Sequence, residues 1–528
     1  MTNIDTTRQT HGRSAAGGAP RVSPFDLRPL HPVHSSSVEE IGAAVQRARS
    51  AQAEWQRCAL DDRIVALESA AKEMLRRRDE VIVLARTEVG KVAAEGIFNE
   101  ALGPLEAVVG WAAVVRRATG RRRVRLNPLS FPKKDAHVDF VPRGVVGVIA
   151  PWNFPVAGLY RSMIPALMSG NGVVLKPSEH SPLTSAWLAE CLQTALPDGL
   201  VQVLQGDGRV GSALVDAGID ACVFTGSSHT GRLVRIQCAE RAVVSSIEMG
   251  GKDPAIVLAD CDLDRTVAGV THWALSNVGQ ACGAIEILYV DQQIADEVVE
   301  RLRAAWSKLT VGTADADVGP LANRRQLQVV TRQVDEARAK GAKVVCGGAP
   351  TGVGLAFAPT ILYHCTETMS VVQEETFGPV LAVVRVEGAA EAVRAANASR
   401  YGLGASIWTT DLARGRRLAS RLEYGIVTIN NHAFTGAIPA LPWSGTRETG
   451  FGVANGPESL ATFVRPRTTV VDASSAPEPF WLPYDRALVE LGDILADVQI
   501  RRFGRAWKIP LLLRKRVATV RAFFDRRS

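Results

Sequence analysis

The 528-residue sequence predicts an α/β fold with doubly wound parallel sheets, and three observations carry that prediction. From Gly144 onward, short continuous apolar runs such as Val145 to Ala150 and Gly172 to Leu175 alternate with stretches whose apolar residues recur at three and four spacing. Runs that are apolar throughout, rather than alternating, mark strands covered by helices on both faces. The composition, 46% hydrophobic and 22% charged, supplies enough apolar side chains to bury a large core.

Taken in order, residues 1–22 read as a flexible leader, on the run Ser14-Ala-Ala-Gly-Gly-Ala-Pro20. Ser37 to Gly120 reads as helical, with Ile64, Leu67, Ala71, Met74 and Leu75 on one face. Arg117 to Val141 is basic and Pro-punctuated, and it ends in the alternation Ala136-His-Val-Asp-Phe-Val141, which suits a strand or hairpin arm. Five apolar runs follow, at 145–150, 172–175, 201–204, 221–224 and 243–247, with helical stretches near 156–169, 182–195, 209–217 and 229–239 between them. This is a nucleotide-binding arrangement whose ligands lie at the carboxyl ends of the strands. A second series, including 255–258, 287–290, 342–345, 380–384 and 426–429, extends to Asn430 and favours two α/β domains over four small ones. Phe463 to Asp472 reads as extended and able to pair with 136–141, and Ala473 to Pro479 is a Ser/Pro-rich linker. In the appended region, Leu488, Leu491, Leu495 and Val498 line one helical face and Leu513, Val517, Val520 and Phe524 another.

The formal net charge is +7, but residues 501–528 hold ten basic side chains against Asp525, so the remainder carries 51 basic against 53 acidic groups. A basic tail on a neutral body does not fit a nucleic-acid binder. No apolar run could serve as a signal-peptide core or membrane span, so the expected location is the cytoplasm. Eight scattered cysteines without a C-x-x-C pair argue against a zinc site and a disulfide framework, and no metal is expected.

Three segments place reactive groups where a parallel sheet would put a ligand. Ala150-Pro-Trp-Asn-Phe-Pro155 offers the amide of Asn153, a donor for an oxyanion or an Asx-type turn. In Ser246-Ile-Glu-Met-Gly-Gly-Lys252, Glu248 closes an apolar strand before two glycines, as a general base or a surface carboxylate. Asn277-Val-Gly-Gln-Ala-Cys-Gly283 gives Cys282 small neighbours, which a nucleophilic thiol needs, although most cysteines are inert core residues. Phe224-Thr-Gly-Ser-Ser-His-Thr-Gly231 could receive a pyrophosphate at a helix N-terminus, and Lys176-Pro-Ser-Glu179 could hold a ribose or be a surface turn.

In this order, with Cys282 thirty-four residues after Glu248 and with Glu374-Glu-Thr-Phe-Gly-Pro379 downstream, the segments resemble the aldehyde dehydrogenase superfamily. The likeness runs from about Pro24 to Asp472 and includes Glu88-Val-Gly-Lys91, Gly425-Ile-Val-Thr-Ile-Asn430 and Pro442-Trp-Ser-Gly445. It implies an aldehyde dehydrogenase-like fold: two doubly wound α/β domains with a β oligomerisation arm and a C-terminal helical extension. The implied NAD(P)-binding domain is 23–123 with 143–249, the catalytic domain 250–461, the arm 124–142 with 462–472, and the basic helical extension 473–528.

The resemblance implies that Cys282 is the nucleophile, Glu248 the general base, and Asn153 with the Cys282 N–H the oxyanion hole. It places Ile149 and Trp152 near the nucleotide, Lys176 and Glu179 at the adenosine ribose, Gly206 and Ser227 around the adenine and pyrophosphate, and Glu375 with Phe377 at the nicotinamide ribose. A carboxylate at Glu179 prefers NAD, with NADP as the alternative. The implied reaction is oxidation of a small-molecule aldehyde to a carboxylate through a hydrolysed cysteine thioester, in a homodimer or homotetramer. The chain departs from the pattern at Val278, Met249, Gly452-Val-Ala-Asn455 and Ile287, the last leaving Glu286 without the usual arginine neighbour. Two alternatives stay open: an idle binding or scaffold protein that keeps the fold, and an enzyme for lipid-derived aldehydes held at a membrane surface by its tail. Packing of the tail on its own or a neighbouring subunit is the competing explanation of that region. Arg161 could suit an acidic semialdehyde or pair with a carboxylate elsewhere in the protein.

Overall fold

The computed structural model describes residues 21–128 and 130–525, so nearly all of the expected leader lies outside the described residues. The chain divides into two compact units, one of residues up to Gly120 with Val141–Arg465, the other of Arg121–Phe140 with the chain from Pro466 onward.

The first unit contains a six-stranded and a seven-stranded sheet. The six-stranded sheet runs in the spatial order Gly450–Phe451, Val244–Glu248, Ala221–Thr225, Val145–Ile149, Gly172–Lys176, Val201–Val203. All neighbours are parallel except Gly450–Phe451, which is antiparallel to Val244–Glu248. In chain order the strands start centrally at Val145–Ile149, step outward to Val201–Val203, and resume on the other side at Ala221–Thr225. The strand order therefore reverses between Val145–Ile149 and Ala221–Thr225, which opens a crevice at their carboxyl ends. Register places Ile149 opposite both Lys176 and Phe224, and Thr225 opposite Glu248, so the strand ends form one row. Ser37 begins the helix Val38–Trp55 with a reciprocal capping box to Glu40, and the helix buries Ile41 and Val45 against Val145, Val174 and Leu214 of this sheet's core.

The seven-stranded sheet runs Lys343–Cys346, Thr360–Tyr363, Val380–Val386, Ile285–Asp291, Asp253–Val257, Gly404–Trp408, Ile426–Ile429, with only its first pair antiparallel. Two of its strands were not among the expected runs. Thr360–Tyr363 is only four residues long, and Gly404–Trp408 is interrupted by Ser406, whose buried hydroxyl accepts from Trp408 Nε1 at 3.1 Å.

In the second unit, Lys134–Pro142 lies between Arg122–Val124 and Val464–Asp472. Lys134 Nζ bridges Asp472 at 2.6 Å and Glu478 at 2.5 Å. The helices Arg486–Gln499 and Ile509–Asp525 pack through Ala487, Leu491, Ile494 and Leu512. The expected faces are met in part: Leu491 and Val520 are buried and Leu495 and Leu513 pack partly buried against this cluster, whereas Leu488 and Val498 are only partly buried and Phe524 is exposed. The cause is Arg516, fully buried, which donates to the carbonyls of Pro479 (3.0 Å) and Trp481 (2.6 Å) and pairs with Asp485 (2.9 Å). Meeting those partners turns Leu512, Arg516 and Val520 inward and leaves Phe524 outside.

Asn171 ties the start of Val145–Ile149 to its surroundings. Its Oδ1 accepts from the N–H groups of Arg143 (2.9 Å) and Gly144 (3.0 Å), while Nδ2 donates to Ala166 O (2.9 Å) and Phe463 O (3.1 Å). Asn171→Ala strands these buried groups and should cost about 2–5 kcal/mol. Thermal unfolding of the variant checks this: a lowered midpoint is expected, and an unchanged one contradicts it.

Candidate active site

The helix Leu263–Leu275 leads into a turn in which Asn277, Val278 and Gly279 all have positive φ, at 53°, 62° and 68°. Left-handed backbone is costly for a β-branched residue, about 1–3 kcal/mol, and persists only where the surroundings enforce it. Gly279 is needed for space as well, since a Cβ there would lie 2.2 Å from the carbonyl oxygen of Gly378. The turn delivers Cys282 to the carboxyl-end row, where its thiol donates to Oε1 of Glu248 at 3.8 Å. Burial holds the Cys282 thiol well above its ordinary pKa, and the Glu248 carboxylate raises it further. The resting group is a thiol facing a proton acceptor.

Glu248 ends the strand Val244–Glu248, and its Oε1 also accepts from Trp443 Nε1 at 2.7 Å. Arg161 Nη1 lies 3.8 Å from the same oxygen, and the guanidinium stands 5.0 Å from the Trp443 ring centroid. Arg161 Nε donates to Asn455 Oδ1 at 3.4 Å. The carboxylate is thus aimed by an indole from one side and a cation from another.

Asn153 is buried in the loop after Val145–Ile149, and its Nδ2 donates to Gln280 O at 2.9 Å. A primary amide has two N–H bonds, so one remains for a ligand. Asn277 Nδ2 donates to both Asn153 O (3.0 Å) and Gln280 O (2.9 Å), and its Oδ1 accepts from Lys91 Nζ at 2.9 Å. Lys91 is buried, pairs with Glu100 at 3.2 Å, and stands 4.2 Å from the Phe154 ring centroid. The other Glu100 oxygen accepts from Val156 N (2.8 Å) and Ala157 N (3.0 Å), at the start of the helix Ala157–Met168 that carries Arg161. Glu95 accepts from the Asn277 backbone N–H. One buried network therefore holds the strained turn, the Asn153 amide and the Arg161 helix together.

The crevice fits a dinucleotide. Lys176 is buried at a strand end, where its ammonium makes no hydrogen bond among the described residues and only a 3.8 Å ion pair with the half-exposed Glu179. Such a donor suits ribose hydroxyls. Ile149 and Lys176 face Gly211, where a Cβ would come 3.6 Å and 3.7 Å from their side chains. Gly206, at φ 137°, leads into the helix Gly208–Asp216, and Ser227 caps Ser228–Glu240 through Thr230 N, leaving first-turn N–H groups for an anion. Trp152 meets Phe377 edge to face at 5.5 Å. Glu375 accepts from Gly251 N at 3.0 Å, and burial, with Glu286 nearby, pushes its carboxyl up to about 8.

Glu286 lacks the arginine neighbour, as expected from Ile287, and has a lysine in contact instead. Ile287 is buried in the hydrophobic core, and Lys252 supplies the charge from another strand end, with Nζ 2.5 Å from Glu286 and 2.9 Å from Thr376 Oγ1. Glu286 also accepts from the N–H groups of Thr376 and Phe377, both at 2.8 Å, and so fixes the loop carrying Glu375 and Phe377.

Cys282, Glu248 and Asn153 thus come together from three segments; Ile149, Trp152, Lys176, Glu179, Gly206 and Ser227 lie at or just after strand ends of the six-stranded sheet, while Glu375 and Phe377 lie on the loop before Val380–Val386 of the seven-stranded sheet. Trp443 and the Lys91–Glu100 pair were not assigned roles from sequence. Trp443 lies in the noted Pro442-Trp-Ser-Gly445 segment but 195 residues from Glu248, and Lys91 ends the noted Glu88–Lys91 segment.

The sequence profile described as the aldehyde dehydrogenase family matches residues 12–469. A 4,4'-diapolycopene aldehyde oxidase from Methylomonas sp is 36% identical over 466 residues, covering 88% of each chain. The NAD+ complex of an aldehyde dehydrogenase from Bacillus cereus superposes with a TM-score of 0.82 at 29% identity, covering 86% of this chain and 93% of that one. An NADP dependent enzyme from E. coli does so with a TM-score of 0.82 at 31% identity, covering 86% and 94%. The chain belongs to the aldehyde dehydrogenase family and is an NAD(P)-dependent oxidoreductase acting on an aldehyde.

Proposed function

We propose that Cys282 is the nucleophile, Glu248 the general base, and Asn153 Nδ2 with the Cys282 N–H the oxyanion donors of this oxidation. The supporting observation is the convergence of thiol, carboxylate and amide from three chain segments, with Sγ 3.8 Å from Glu248. Glu248 takes the thiol proton as Sγ bonds to the aldehyde carbon, and the new oxyanion receives the free Asn153 N–H and the Cys282 N–H. When bound, the nicotinamide cofactor supplies the hydride acceptor. The acyl group then stays on Sγ as a thioester. Glu248 passes its first proton to solvent and takes another from an attacking water; the C–S bond breaks and a carboxylate leaves.

Lys176 and Glu179 hold the adenosine ribose, Ile149 and Trp152 line the nucleotide, Gly206 and Ser227 flank the adenine and pyrophosphate, and Glu375 with Phe377 orient the nicotinamide ribose. In this reading 23–123 with 143–249 bind the cofactor and 250–461 supply the thiol. The strand Val464–Asp472, at a sheet edge with Val470 and Val471 exposed, pairs with another copy in a cytoplasmic homodimer or homotetramer.

Cys282→Ala should abolish NAD(P)H formation from an aldehyde. Glu248→Gln should slow both proton transfers, so that the first turnover and the steady-state rate each fall, the latter by about 10²- to 10⁴-fold. Residual turnover in the alanine variant, or an undiminished rate in the glutamine variant, counts against these roles.

A pH dependence follows from Glu375. Ribose hydroxyls donate more strongly to a carboxylate than to the carbonyl oxygen of a carboxylic acid, so cofactor binding favours the ionised form of a group that holds its proton below about 8. Cofactor affinity should therefore rise from pH 6 to pH 8, by up to roughly tenfold per unit, and level off above. Titrations of the wild type and Glu375→Gln check this; a slope of equal size in both would refute it.

A further inference from the structure

We infer that the turn joining the two C-terminal helices is a docking surface for an anionic phospholipid bilayer. The helices Arg486–Gln499 and Ile509–Asp525 bury Leu491, Ile494 and Leu512 against each other, so their mutual contact is already satisfied. The connecting turn nevertheless presents Ile500, Phe503, Trp507 and Leu511 at 62%, 62%, 72% and 65% exposure. Four large apolar side chains within twelve residues, all turned outward, are not the scattered exposures of an ordinary surface.

The same segment is cationic. Arg505 is paired with Asp497 and Lys508 with Glu490. Arg501, Arg502, Arg514, Lys515 and Arg521 are exposed and enter no ion pair among the described residues. On the second helix Leu511, Arg514, Ala518 and Arg521 follow one another at three and four spacing, so the apolar tip continues into a basic stripe on one face. Aromatic and aliphatic groups bordered by free cations match the boundary between lipid headgroups and acyl chains. No helix among the described residues is long and apolar enough to span a bilayer, so the contact is peripheral. A nucleic acid would use the arginines but not the aliphatic Ile500 and Leu511. An isologous contact with a second copy would set Arg501 and Arg502 against like charges.

The test is co-sedimentation of the full chain with vesicles of phosphatidylcholine alone or with about one third phosphatidylglycerol. Binding is expected to the anionic vesicles, weakened by raising the salt to about 0.5 M. Phe503→Ser/Trp507→Ser/Leu511→Ser, and separately Arg501→Glu/Arg502→Glu, should each lower partitioning about tenfold or more. NAD(P)H production from a water-soluble aldehyde should be unchanged in both, which separates this inference from the catalytic assignment. Equal binding to both vesicle types, or undiminished binding of the triple serine variant, overturns the proposal. So does a change in the triple variant's oligomeric mass with no loss of vesicle binding, or retention of RNA by the wild type in place of anionic vesicles.

Discussion

The left-handed turn at Asn277–Gly279 is the constraint on which the site depends. Its backbone is unfavourable, and Val278 makes it more so. It is held because Asn277 spends every polar group of its side chain on buried partners: Lys91, Asn153 O and Gln280 O. Lys91 is in turn fixed by Glu100, which caps the helix carrying Arg161. Removing any member leaves a buried donor or charge unpaired, so the arrangement has few alternatives.

A second buried lysine does comparable work for the cofactor side. Lys252 pairs with Glu286 and donates to the Thr376 hydroxyl, and Glu286 accepts from the backbone N–H groups of Thr376 and Phe377, which sets the loop that presents Glu375. Buried ion pairs contribute little net stability, because desolvation offsets their attraction. Here they fix two loops relative to a rigid row of strand ends, which is the precision that the roles proposed for Cys282, Glu248 and Asn153 require. The hydrogen bond from Trp443 to Glu248 adds a direction to the carboxylate that the strand alone does not supply.

Much of this was legible in the sequence. Continuous apolar runs located five strands of the six-stranded sheet to within a residue or two, because burial on both faces leaves few polar positions; the two-residue strand Gly450–Phe451 was too short to leave such a run. The ordered motifs singled out Cys282, Glu248 and Asn153, because each stands in a short loop among small or conformationally restricted neighbours. What escaped was long-range pairing. Nothing in Ile287 announces that Lys252, thirty-four residues from Glu286, pairs with it. The inward turn of Arg516 was equally hidden, since a helical wheel assigns a charged residue to solvent, whereas the carbonyls of Pro479 and Trp481 and the carboxylate of Asp485 draw this one inside.

The central claim is that Asn277 acts on catalysis through the placement of Asn153. A double-mutant cycle of Asn277→Ala and Asn153→Ala, read in the rate of the first turnover of NAD(P)H formation, tests it most directly. The account predicts that each single variant loses rate substantially and that the double variant is little worse than Asn153→Ala alone. Fully additive losses, or an Asn277→Ala variant as fast as wild type, would contradict it.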